Sequence, residues 1–121
     1  MELLTFVYIL NASLLLLHEI ESAYEKEWEI LNLPGRITGF LLLHIPILFI
    51  LFYGLIEIEK QTKFGMIIGL IIGIGGVIPF AVHKIIVRRK EHFNKPISNI
   101  LIYSNIITGV GTIILCMRFI A

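Results

Sequence analysis

One cysteine, Cys116, stands in 121 residues, so no intrachain disulfide can form and no cysteine-based zinc motif is available. Any metal would have to rest on histidine and carboxylate ligands. Charge of either sign is scarce as well. Ten Lys and Arg balance nine acidic residues to a formal net charge of +1, and no basic patch with interleaved aromatics is present, which excludes a nucleic-acid partner. No glycine follows Met1 and no Cys-a-a-X box ends the sequence, so no lipid-anchor signature is expected. Glu2 occupies the place of a basic leader region, and no small-x-small cleavage site precedes His18. The expectation is a retained transmembrane helix rather than a secretory leader.

What is present in excess is hydrocarbon. The sequence is 57% hydrophobic and only 16% charged, with a mean hydropathy of +0.91, too apolar for a soluble domain of this size. Lipid lets a helix be apolar all round, so the amphipathic stripe of soluble helices need not appear. A helix rises ~1.5 Å per residue and a bilayer core is ~30 Å thick, so about 20 apolar residues make a crossing. Four segments qualify, at about 3–20, 37–56, 64–87 and 97–120. The expected fold class is all-α, a four-transmembrane-helix up-down bundle forming one integral membrane domain over residues 1–121.

The first span is expected to run on as an interfacial helix through Ala23, Tyr24, Trp28 and Leu31 until Asn32-Leu33-Pro34-Gly35 breaks it. Thr38 is a candidate N-cap of the second span, and Pro96 suits the first turn of the fourth. Loops after the first and third spans hold or adjoin Lys26, Arg36, Lys84, Arg88, Arg89, Lys90 and Lys95, against Lys60, Lys63 and Arg118 opposite. The positive-inside rule then predicts both termini outside and the His18 end in the cytoplasm.

Antiparallel spans gather the ionisable groups. His18 closes the first span and His83 the third, while His44 lies only ~9 Å of rise beyond Thr38, where the second span leaves the same face. His92 sits in the loop on that side. Within Leu14-Leu15-Leu16-Leu17-His18-Glu19-Ile20-Glu21, His18 and Glu21 are three residues apart and share a helix face. Imidazole nitrogen and carboxylate oxygen suit Zn, Fe or Mn, and an open coordination position would make such a metal catalytic. The expected ligands are His18, His44 and His83, with Glu21 as fourth ligand or general base. A metal-free site of the same residues would relay protons. His18 and Glu21 are the expected catalytic pair, and Asn11, Glu25, His92 and Asn105 are secondary candidates.

Other polar groups read more plainly. Glu25, Lys26, Glu27 and Glu29 look like a solvated face, and Tyr24 and Trp28 like aromatic anchors at the membrane boundary. Ser98, Thr108 and Thr112 fit interhelical hydrogen bonding. Gly65, Gly69 and Gly73 recur every fourth residue, a face for close approach to another helix within the bundle or in a homo-oligomer. No strand precedes them, so they are not a nucleotide loop. Pro79 is expected to kink the third span beneath His83.

The stretch from Asn11-Ala12-Ser13 through His18-Glu19-Ile20-Glu21 to Glu27-Trp28, followed by Pro34-Gly35 and His44, resembles small bacterial membrane proteins of the HXXEE and DUF6713 type. The resemblance implies an integral membrane protein centred on a His/Glu motif, which maps onto His18 and Glu21. Ser22 stands where a full His-x-x-Glu-Glu pattern has its second glutamate. In helix number and His/Glu usage the sequence is also similar to the sterol isomerase family that includes the emopamil-binding proteins, an analogy for lipid chemistry in so small a bundle. Two functions are therefore in view. One is a membrane-embedded enzyme, a metal-dependent hydrolase or isomerase acting on a lipid-like substrate. The other is a non-catalytic module: a small transporter, proton relay or oligomeric assembly subunit.

Overall fold

In the computed structural model, which describes residues 2–86 and 95–121, four long helices carry the fold: α1 (Leu3–Tyr24), α3 (Arg36–Glu59), α4 (Lys63–Phe80) and α5 (Pro96–Ile120). A one-turn helix, α2 (Glu27–Ile30), lies between α1 and α3, and a π-wound segment, Ala81–Ile86, continues α4. All four long helices are long and apolar enough to cross a membrane, the third counted as Lys63–Lys84. Their outward faces are Ile, Leu and Phe, as a helix in hydrocarbon permits because its backbone bonds are satisfied internally.

Cross-helix contacts give the topology. Tyr8 near the start of α1 donates to Leu51 O in the second half of α3 (2.6 Å), whereas Glu19 near the end of α1 meets His44 near the start of α3. The two helices are antiparallel. Thr108 of α5 donates to Asn11 of α1 (3.0 Å), and Ser98 at the start of α5 donates to Glu21 at the end of α1. α1 and α4 run parallel, with Asn11 Nδ2 donating to Ile72 O (3.0 Å) and the rings of His18 and His83 5.3 Å apart. α1 and α4 touch across the bundle while α3 and α5 do not, so the section is a rhombus. Bonds of this interhelical kind contribute typically ~0.6–2 kcal/mol each.

α4 is the central helix. Within its most apolar window 44% of residues are buried, against 17% in α3. Its glycines explain why. A Cβ on Gly73 would lie 2.7 Å from Ile113 Cγ1 and 2.9 Å from Gly109 O, and one on Gly109 would lie 2.6 Å from Gly73 O. The backbones of α4 and α5 therefore touch, with no room for a side chain between them. Gly65 and Gly69 are likewise closed against Glu57 of α3 and Cys116 of α5. The Gly65/Gly69/Gly73 face, weighed above as a surface for a second copy, is thus filled by the chain's own helices.

Several local expectations shift. α1 does not extend through Leu31. It ends at Tyr24, and Lys26 takes a left-handed conformation (φ 54°) that redirects the chain into α2. α3 begins at Arg36 behind Gly35 (φ 93°), which places Thr38 inside the helix rather than at its cap. A side-chain cap does open α4, where Thr62 accepts from Gly65 N (2.9 Å). Pro96 occupies the first turn of α5 as its missing N–H allows. Two residues after Pro79 the winding changes from α to π, a form that recurs at functional sites.

If the α4–α5 approach holds the bundle together, Gly73→Ala should lower stability by about 1–3 kcal/mol, the usual cost of overpacking. Gly75→Ala should be nearly neutral, because its Cβ would meet Leu15 only at 3.5 Å. Thermal melting of both variants in one detergent checks the contrast.

Candidate functional site

The ionisable groups gather where α1 and α4 end together. His18 sits on the face of α1 that carries Asn11 seven residues earlier and is only 2% exposed. The π-wound segment delivers His83, 7% exposed, to the other side. The left-handed turn at Lys26 then brings Glu27 over both. His83 Nε2 lies 3.0 Å from Glu27 Oε1, and the two side chains are 4% and 12% exposed. One ligand atom from each of His18, Glu27 and His83 lies within 4.8 Å of the others. Small side-chain rotations would bring such a trio to the bond lengths of about 2.0–2.2 Å that zinc requires.

Glu27 lies outside the membrane-spanning segments and has an unusual acidity for a buried carboxyl. Burial works to raise its pKa. Hydrogen bonds with His83 and Ser22, aided by the charges of His83 and His18, outweigh that and hold it below the ordinary carboxylate value. It is a carboxylate kept ionised against an imidazole pair.

A second His/Glu pair flanks the first. His44 Nδ1 is 2.6 Å from Phe40 O, and a carbonyl only accepts, so Nδ1 carries a hydrogen. The other nitrogen, Nε2, faces Glu19 Oε2 at 2.5 Å. One proton therefore lies between them, on imidazole or on carboxyl. Phe40 stacks on the same ring, with centroids 4.1 Å apart, and tilts against Trp28, 5.7 Å away. Trp28 is buried and packs on Phe40 behind this pair.

The trio of the structure is not the foursome grouped by spacing. His18 and His83 come together. His44 is taken by Glu19, and Glu21 accepts from Ser98 while its other oxygen stays 3.9 Å from His18 Nδ1. The backbone N–H of Glu25 closes α1 on Glu21 O (2.8 Å). Asn11 and Asn105 meet deeper in the bundle, around Gly76, where a Cβ would lie 2.3 Å and 3.0 Å from their Oδ1 atoms. They belong to a separate polar node with Thr108. His92 lies outside the described residues. Glu27 was read from the sequence as part of a solvated face, and its burial corrects that reading. No sequence signal marks Lys26 as left-handed, so nothing in the pattern turns Glu27 inward.

His18 and Glu27 of the trio and Glu19 of the second pair border one cavity of about 310 Å³. Leu15, His18 and Glu19 of α1 form its floor, Ile47 and Ile50 of α3 one wall, and Ile71, Ile78 and Val82 the other. Glu27 stands at its polar end. The size falls at the low end of the ~300–1,000 Å³ typical of ligand pockets.

Because the folded Glu27 has a depressed pKa, its stabilisation is present above the unfolded value, ~4.3 for Glu, and is lost as pH falls through the folded value. In metal-free protein Glu27→Gln should flatten that acidic limb of the stability curve. Melting temperature against pH for both proteins measures it.

No curated protein and no solved structure matches the chain. Residues 4–119 match the model of the family of unknown function DUF6713, and that coverage spans all four long helices. The chain is therefore a member of the DUF6713 family.

Proposed function

We propose that this is a membrane-embedded, metal-dependent enzyme, a hydrolase or isomerase, whose metal rests on His18, Glu27 and His83 and whose substrate is lipid-like. The observation that carries the reading is the convergence of ligand atoms from the buried His18 and His83 and the part-buried Glu27, with His18 and Glu27 lining the polar end of an otherwise apolar cavity. The donor set suits Zn, Fe or Mn, and three protein ligands leave a position for water or substrate. A bound ion would supply Lewis acidity and an acidified water. Glu27 is the ligand held ionised beforehand. Glu19, kept in place by His44 and lining the same cavity, is the group that accepts and returns a proton. Phe40 O fixes the tautomer of His44, and so fixes which nitrogen faces Glu19.

The cavity favours this reading over a relay or assembly subunit, because helix packing alone does not require a pocket. The excess of Lys and Arg in the loops at the site's end supports a cytoplasmic site, with both termini outside a bacterial inner membrane.

Protein purified without a polyhistidine tag should carry one Zn, Fe or Mn per chain by elemental analysis. His18→Ala, Glu27→Ala and His83→Ala should each lower that content at least tenfold, and His44→Ala should leave it unchanged. Acidification should release the ion, since imidazole must be unprotonated to ligate. A folded, metal-free protein would refute the reading.

A further inference from the structure

The cavity lies beside only one half of the α3–α4 pair. α3 and α4 are locked together near their shared loop, where Ile68 fills the place of a Gly54 side chain and the Glu57 backbone fills that of Gly65. All buried residues of α3, Leu51, Gly54 and Ile58, lie in this half. None of the described residues from Arg36 to Ile50 is buried, and the cavity lies between that half of α3 and α4. The pair is thus closed at the Gly54–Gly65 end and leaves a cleft beside His18 and Glu27. Its rims face outward: Ile50 is 44% exposed, Ile71 57% and Ile78 51%. In a bilayer these rims border acyl chains, so the mouth of the cleft opens sideways into lipid.

Charge and volume narrow the occupant. The polar end of the cleft presents Glu19 and Glu27 with His18, and no Lys or Arg lines it among the described residues. Lys84, the nearest cation along the π-wound segment, is held by Asn99 Oδ1 (2.5 Å). Apart from the proposed ion no cation among the described residues lines the cleft, so a phosphate headgroup would place its remaining charge against the Glu19 carboxylate, an unfavourable like-charge burial. An uncharged ester, amide, ketone or alcohol meets no such penalty. The volume of about 310 Å³ is roughly twice the ~150 Å³ of an engineered apolar cavity that holds one benzene, enough for one chain segment and not for two side by side.

We infer that the α3–α4 cleft takes a single-chain amphiphile from the bilayer, tail along Ile50, Ile71 and Gly75, with an uncharged polar group directed at His18 and Glu27. The inference rests on the metal reading of that same site and specifies its substrate class.

The test uses full-length zinc-loaded protein in phosphatidylcholine nanodiscs, with zinc content measured on the same samples. Three probes are titrated: decyl hydroxamate, acetohydroxamate and decyl phosphate. Binding is followed by the fluorescence of Trp28, the only tryptophan, which adjoins Glu27 in sequence and packs on Phe40. Decyl hydroxamate should bind at least tenfold more tightly than either of the others. Gly75→Leu, which grows a side chain into the cleft without touching a ligand, should abolish the advantage over acetohydroxamate while zinc stays at one per chain. Zinc at one per chain with no chain-length dependence, with decyl phosphate bound equally well, or with the preference intact in Gly75→Leu, overturns the inference and leaves the metal reading standing. Failure to hold one Zn, Fe or Mn per chain overturns both.

Discussion

Backbone contact between α4 and α5 is the constraint on which the rest of the structure depends. Gly73 and Gly109 leave no space for a Cβ on either helix, which draws α4 into the centre of the bundle. Once α4 is central, its π-wound extension ends against α1, and His83 reaches His18. The same commitment leaves α3 peripheral, held to α4 over only part of its length. Tight packing on one side of α4 and a cleft on the other are two consequences of one distribution of small residues.

Much of the architecture is legible in the sequence because the bilayer enforces it. A helix is the only way for a single apolar segment to satisfy its backbone in hydrocarbon, so run length gives the spans and short connections give their antiparallel order. From there the placement of His18, His44 and His83 at one end follows by counting residues. Which group meets which does not follow. Pairing depends on helix rotation and on short connections, and Lys26 adopts a positive φ that is uncommon for a residue with a side chain. That one torsion turns Glu27 from a solvated face toward His83. Glu19 and Glu21 show the complementary difficulty. They are two residues apart on one helix and point to different neighbours, His44 and Ser98, and only the positions of α3 and α5 decide the assignment.

Burying carboxylates and imidazoles together is costly unless each finds a partner. Glu19 shares a proton with His44, Glu21 accepts from Ser98, and Glu27 is stabilised by His83 and Ser22. These partners come from α3, α5, α4 and α1 in turn. The site therefore ties every long helix to the same end of the bundle, where a stack of purely apolar helices would lack directional contacts. The proposed site and a structural latch are here the same side chains, which is why removing one partner leaves another buried charge exposed to the full cost of desolvation.

The location of the π-wound segment completes the logic. Pro79 cannot donate a backbone hydrogen bond, so α4 loses one rung of its ladder a turn before His83. Widening the next turn to π geometry changes the direction in which residues 81–84 project, relative to a continued α-helix. Pro79 and Val82 both line the cavity on that wall, and His83 follows directly. Val82 on the cavity wall and His83 beside Glu27 are consecutive residues of this segment, so one stretch of winding sets both the wall and the imidazole.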